Sequence, residues 1–384
     1  MRPIYCDYNS TTPTDPRVVE AVKETSLEAY ANPSSGHRLG QKARVRLDDA
    51  RARIAALIGA KPAEIVFTAS GSEADNLAII GSLNSPAARG KHLVTVATEH
   101  HAITETADWA ERFGFEVTRL PVDRHGRVDP ADFASALRPD TQIASIMLAN
   151  NEVGTILPIA EFASVARERG VVFHTDAVQA FGKTPVNVND LGIDLLSLSA
   201  HKFYGPKGIG ILYVRQGTRL APVLHGGGQE MGRRPGTEDT PGAVGMALAM
   251  KIVADDPGEP ARIGALATEL RRRLADGVDD CEFFGDPDRH LPNTVGVGFG
   301  GIDGEALMIA LDLRGICVST GSACTTGARQ TSHVLRAMGI DSHYANGSIR
   351  FSFGRVSRPE DPGMIAEAVA AEVKRLRSLA PSPV

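Results

Sequence analysis

The apolar run Ile193-Asp-Leu-Leu-Ser-Leu-Ser199 leads straight into Ala200-His-Lys-Phe-Tyr-Gly-Pro-Lys-Gly208, which leaves Lys202 framed by serine, histidine and glycine. The run reads as a buried strand, and Gly205, Gly208 and Gly210 break the chain before a second strand at Ile211–Arg215. Lys202 is therefore expected just past a strand's carboxyl end, where open α/β sheets hold their ligands. Lysine is among the least buried residue types, so one fixed between core strands needs a reason. Desolvation lowers the pKa of an amine and makes it a nucleophile toward an aldehyde, which is Schiff-base chemistry. A surface lysine with its stem along apolar neighbours is the competing reading, and this motif alone leaves both open.

Five further constellations bear on that choice. Thr68-Ala-Ser-Gly-Ser-Glu73 follows a predicted strand and opens a predicted helix over 73–82, so backbone N–H groups near Gly71 and Ser72 could bind phosphate; a plain serine–glycine cap fits as well. Asp176, in His174-Thr-Asp-Ala-Val-Gln179, falls at the same sheet edge as Lys202, where a carboxylate could keep a ring nitrogen protonated or simply cap the next helix. His100, in Thr98-Glu-His-His-Ala102, could stack on an aromatic cofactor or belong to a surface pair. Arg350, in Ser348-Ile-Arg-Phe-Ser352, alternates with apolar residues and offers a planar fork to a carboxylate. Cys324 lies in the polar Gly321-Ser-Ala-Cys-Thr-Thr-Gly327, between a strand ending at Ser319 and a helix starting near Ser332, and there a thiolate would be accessible. Two apparent hydrolase signals carry nothing. Ser199-Ala-His-Lys202 lacks the SDN and KTG motifs that accompany SxxK, and His225-Gly-Gly-Gly228 has no GxSxG partner.

The elements that must position these residues are legible in outline. Seven β-rich runs alternate with helical patterns: Glu64–Thr68, His92–Thr98, Glu116–Leu120, Gln142–Leu148, Val171–His174, Asp194–Ser199 and Gly210–Val214. That is the pattern of an α/β layer with a mostly parallel seven-stranded sheet. After the turn-rich Ala254-Asp-Asp-Pro-Gly-Glu-Pro260 come helices at Ala261–Val278 and Pro359–Leu379 and strands near Asn293–Phe299, Ile316–Ser319 and Ser348–Phe353. The expected division is a large domain, 16–254, and a smaller α+β domain made of 1–15 and 255–384. With 384 residues and a formal charge of −5, the chain has room for two cores and no basic stripe for nucleic acid. No apolar segment is long enough to span a membrane, and a soluble, cytoplasmic protein is expected. The four cysteines form no CxxC pair, so neither a metal site nor a disulfide framework is expected, and Cys6, Cys281 and Cys317 read as buried small hydrophobes.

Taken together and in order, the motifs resemble the NifS/IscS-type cysteine desulfurases, pyridoxal-phosphate enzymes of the class V aminotransferase fold. The likeness includes Asp7-Tyr-Asn-Ser-Thr-Thr-Pro13, Asn32-Pro-Ser-Ser35 with His37, Asn150-Asn-Glu-Val-Gly154, Gly236-Thr237 and Ser319-Thr-Gly-Ser-Ala-Cys324, beside those quoted above. It implies that Lys202 forms the Schiff base to pyridoxal phosphate, Asp176 pairs with the pyridine nitrogen and His100 stacks on the ring. It further implies that Gln179 and Asn151 contact the phenolic oxygen and the substrate, and that Gly71, Ser72, Ser199 and His201 bind the phosphate. Thr237 matches a residue reaching the phosphate from a second subunit, which implies a homodimer. Arg350 would hold the carboxylate of L-cysteine, and Cys324 would take its sulfur as a persulfide for an acceptor protein, an iron–sulfur scaffold or a thiolation enzyme. The nine residues Thr325–His333 after Cys324 resemble the long-loop subgroup. There are departures: Ala69-Ser-Gly-Ser72 stands where the family usually has Ser-Gly-Ala-Thr, Pro235 interrupts the Thr237 loop, and the chain ends soon after Leu379 without the longer tail some members use for docking. Another class V enzyme, such as a selenocysteine lyase or an aminotransferase, would share Lys202 and Asp176 without needing Cys324. A non-catalytic sulfur carrier or scaffold of the same fold is the other alternative, and the presence of Lys202, Asp176, His100, Cys324 and Arg350 together argues against it.

Overall fold

The computed structural model describes residues 2–320 and 331–379. The strands among them are, in chain order, β1 (Ile4–Tyr5), β2 (Ile65–Thr68), β3 (His92–Val96), β4 (Glu116–Leu120), β5 (Thr141–Ser145), β6 (Val172–Asp176), β7 (Leu195–Ser199), β8 (Gly210–Val214), β9 (Cys281–Phe284), β10 (Thr294–Phe299), β11 (Ile316–Cys317) and β12 (Ser348–Ser352). β2 to β8 form one sheet in the order β2-β8-β7-β6-β5-β3-β4. Every pairing from β4 to β7 is parallel, whereas β8 runs antiparallel to both β7 and β2. A sheet buried on both faces needs apolar residues on both sides of each strand. β7 shows this directly, since Leu195 joins the cluster of Leu77, Ile79, Ile103 and Leu212 while Leu196 and Leu198 join that of Phe133, Phe162 and Phe173 on the other face.

Four helices frame the site: α1 (Pro16–Glu28), α2 (Arg38–Leu57), α3 (Gly71–Leu83) and α4 (His101–Arg112). Their starts follow local chemistry. Asp15 caps α1 with proline in its first turn, Ser70 caps α3 by accepting from Glu73 N–H, and the His100 ring caps α4. A separate apolar cluster gathers Ile4, Cys6, Ile263, Leu270, Val297, Phe351 and Val369 around the antiparallel sheet β12-β10-β9 and the β1–β11 pair.

Element types agree with the sequence reading, and the differences lie mostly at ends. The run expected as a strand over Gln142–Leu148 is β5 only to Ser145; beyond it Ile146 and Leu148 still donate to the His174 and Asp176 carbonyls. Two cysteine expectations need correcting. Cys6 is buried, but Cys281 and Cys317 are only half-buried, because one lies on the edge strand β9 and the other on the two-residue β11. Among the described residues no helix is long and apolar enough to cross a membrane.

One buried ion pair ties β2 to the segment after β8. Arg51 of α2 donates to both Glu230 carboxylate oxygens, at 2.6 and 2.7 Å, and to the Ile65 carbonyl at 2.7 Å, while Glu230 also accepts from Phe67 N–H. Removing one partner strands a buried charge. Arg51→Met is therefore expected to cost about 3–5 kcal/mol, read from urea unfolding. Adding Glu230→Gln, which keeps an acceptor for Phe67 N–H, should recover more than half of it.

Candidate active site

Asp176 ends β6 and Lys202 ends the short turn Ala200–Lys202 that follows β7. The parallel β6–β7 register, which sets Asp176 beside Ser197, delivers both residues to one sheet edge. The N-terminal segment lies across them. Lys202 Nζ donates to the Asn9 and Ser10 carbonyls at 2.6 and 2.7 Å, and Gln179 Nε2 donates to the same Asn9 carbonyl at 2.7 Å. Gln179 Oε1 accepts from Lys183 Nζ at 2.9 Å. His201 is bound to the same segment, its ring 3.1 Å from Thr11 Oγ1 and its carbonyl accepting from Thr12.

The N-terminus of α3 closes on this edge from the other side. A Cβ on Gly71 would stand 2.8 Å from Val178 Cγ2 and 3.3 Å from Ser199 Cβ, so only glycine lets the helix start approach the β6 and β7 ends this closely. Ser199 is buried against it and Ser72 is exposed in the first turn. Asn9 Nδ2 donates to the Asn151 carbonyl, and Arg350 Nη1 does so as well, at 2.9 Å. Arg350 is buried and pairs with Asp7 at 2.7 Å, while its Nε has no partner among the described residues. Its fork is thus already half engaged within the chain.

Burial decides the electrostatics. The Asp176 carboxyl is pushed up by burial, against the pull of Lys202. Asp75 and Glu99 are pushed up by burial and by Asp176, and Asp75 Oδ1 and Glu99 Oε2 find no hydrogen-bond partner among the described residues. Burial and Lys202 lower both His100 and His201 to about 4, so neutral imidazoles flank the lysine at neutral pH. Lys183 falls to about 7 through burial and the charges of Lys202 and Arg350.

Pyridoxal phosphate needs an amine for its aldehyde, an anion for its ring nitrogen and N–H or hydroxyl donors for its phosphate. Lys202, Asp176 and the α3 start with Ser199 supply all three at one edge, and Gly71 leaves the space a side chain would fill. The residues fit the cofactor. Among the described residues no group of three or more His, Cys, Asp or Glu is placed to hold a metal.

Lys202, Asp176, Gln179, Ser199, Gly71 and His201 thus converge, with Asn151 and Arg350 joined to them through Asn9. His100 faces Lys202 electrostatically from the start of α4. Thr237 stands apart, exposed in the loop after Gly236, where Arg234 pairs with Glu73 of α3 at 2.7 Å. Cys324 lies outside the described residues. Asn9, Lys183, Asp75 and His174 escaped the sequence reading, although Asp75 was detectable as a charge at helical spacing among Gly71, Ala74 and Ala78. It meets His174 at 3.6 Å, and His174 bonds Ser145 and Ser197.

Next to Asn151, Glu152 is buried, accepts from Ser332 Oγ and is raised from 4.5 to about 7 by burial. A raised carboxyl contributes stability that is complete below its unfolded pKa and lost as pH climbs through the folded one. Glu152→Gln should match the parent's unfolding free energy near pH 4.5 and exceed it by roughly 3 kcal/mol near pH 8.5, measured on the apoprotein by urea titration.

The profile of the family described as aminotransferase class-V matches residues 4–361. Over 381 residues the chain is 44% identical to the cysteine desulfurase IscS of Dictyoglomus turgidum, covering 99% of this chain and 97% of that protein. A NifS-like protein of known structure matches with a TM-score of 0.89 at 35% identity, over 97% of this chain and 100% of that one. SspA in complex with cysteine matches with a TM-score of 0.81 at 38% identity, over 91% and 99%. Similarity that runs nearly from end to end, on a fold that brings Lys202 and Asp176 to one sheet edge, makes this chain a member of the aminotransferase class-V family.

Proposed function

We propose that this chain is a pyridoxal-phosphate-dependent cysteine desulfurase, which converts L-cysteine to L-alanine and passes the sulfur on as a persulfide. The observation that carries the reading is the convergence of Lys202, Asp176 and the α3 N-terminus in a chain similar along its length to cysteine desulfurases.

Bound pyridoxal phosphate supplies the electron sink for the bond changes at the substrate Cα and Cβ. Asp176 would hold the charge on its ring nitrogen, His100 would pack against its ring, and Gln179 would offer its second amide N–H to the phenolic oxygen. The α3 start, with Gly71, Ser72, Ser199 and His201, would hold the phosphate. Arg350, with Asn151, orients the substrate carboxylate, exchanging part of its pairing with Asp7 for it. The Lys202 amine would take the Cα proton. Cys324, as thiolate, attacks the substrate sulfur: an S–S bond forms, the substrate Cβ–S bond breaks, and its electron pair ends in a C–H bond of alanine. The persulfide then goes to an acceptor, an iron–sulfur scaffold or thiolation enzyme.

Thr237 belongs to a partner subunit's site in this reading, which makes the working form a homodimer, and the cytoplasm is its compartment. The separate apolar cluster around β12-β10-β9 supports the division into 16–254 and 1–15 with 255–384. The test is product analysis of the cofactor-loaded protein with L-cysteine and a reductant. Alanine and sulfide in equal amounts support the reading, whereas a 2-oxo acid without sulfide would identify an aminotransferase.

A further inference from the structure

Two residues beyond Lys202, Tyr204 has φ +66°, in the left-handed region that a tyrosine keeps only when its surroundings hold it there. The holding groups come from segments far apart in sequence. Tyr204 N–H donates to Thr12 Oγ1 at 2.7 Å, and its carbonyl accepts from Asp15 N–H at 3.0 Å. Its hydroxyl donates to Glu259 and accepts from Arg355 N–H at 2.9 Å, and the Arg355 guanidinium lies 4.2 Å from its ring centroid. Arg355 in turn pairs with Glu259 at 2.6 Å and with Asp15 at 3.2 Å. Burial and Glu259 push the hydroxyl well above the ordinary tyrosine range, so it remains a donor.

Little slack separates this network from the lysine. The cavity lined by Lys202, Tyr204, Lys183, Phe181, Tyr8 and Glu259 has a volume of about 10 Å³. That is room for at most one water, so a displacement of the tyrosine is passed on to the packed lysine turn. The strain at Tyr204 therefore sits two residues past the end of the turn that aims the amine, and it is balanced by side-chain bonds to the helix Glu259–Gly277 and to the segment after β12.

We propose that Tyr204 is a positioning residue for Lys202: anchored by Glu259 and Arg355, it fixes the direction from which the lysine amine meets the cofactor aldehyde and the substrate Cα. The proposal rests on Lys202 being the cofactor lysine. Tyr204→Phe keeps the ring beneath Arg355 and removes only the hydroxyl, while Tyr204→Gly removes the side chain and accepts +66° without strain. Both are compared with the wild-type holoprotein for kcat and KM with L-cysteine, for thermal midpoint, and for the pH midpoint of the visible absorbance of lysine-linked cofactor. Tyr204→Phe is expected to move that pH midpoint by about half a unit and lower kcat about tenfold at nearly unchanged KM, with Tyr204→Gly nearer a hundredfold. A lower thermal midpoint with kcat and absorbance unchanged would make Tyr204 a structural brace and overturn the proposal. If the wild type itself shows no absorbance that Lys202→Ala removes, the assignment of Lys202 falls first and the proposal falls with it.

Discussion

Lys202→Ala is expected to lower kcat by about three to four orders of magnitude and to abolish the visible absorbance of lysine-linked cofactor. The amine has two duties in the proposed cycle, covalent attachment and proton transfer at Cα, and the nearby amine of Lys183 is engaged elsewhere. Lys183 is close, yet its amine is bound to Gln179 and 3.3 Å from Asn9 Oδ1. Asp176 and the α3 N-terminus remain in the variant, so it should still bind pyridoxal phosphate, reversibly and removable by dialysis. Lys207 provides the control within the same motif, because it is exposed. Lys207→Ala should keep both absorbance and rate, and an equally severe loss there would sink the assignment of Lys202.

Cys324→Ala should reduce alanine and sulfide release from L-cysteine at least about a hundredfold while leaving the cofactor absorbance in place. The reason lies partly in the other three cysteines. A nucleophilic thiol must ionise near neutral pH, and none of them is placed to do so. Cys6 is fully buried and its thiol is pushed far up by burial. Cys281 is raised by burial on the edge strand β9, and Cys317 is raised by burial and by Asp312. Cys317→Ala is the matched comparison, expected to run at the parent rate. If Cys324→Ala is as active as the parent, no persulfide forms there and the chain belongs with the class V enzymes that need no thiol.

The rest of the site divides by the kind of information each residue carries. The sheet was legible because a strand buried on both faces carries apolar residues toward both, as β7 does with Leu195, Leu196 and Leu198, and because Gly205 and Gly208 break the chain between β7 and β8. The placing of Lys202, Asp176 and the Gly71 turn was legible for a related reason: a residue just after such a run has one address, the carboxyl edge of the sheet. The half-burial of Cys281 and Cys317 was not, since edge position depends on which strands lack a neighbour.

Local sequence thus determined the α/β layer, the order of its seven strands along the chain and the chemistry offered at its edge. Tertiary structure alone decided which backbone groups receive that chemistry. The Asn9 carbonyl, where Lys202 and Gln179 meet, comes from a segment 193 residues before the lysine and has no side-chain signature. The Arg350–Asp7 pair and the Tyr204–Glu259–Arg355 network likewise join residues whose types are ordinary and whose partners are remote. Residue type and spacing report what a side chain can do and which face of its own element it occupies. Which distant group stands opposite, and how strongly burial shifts a charge, exists only once the chain has packed.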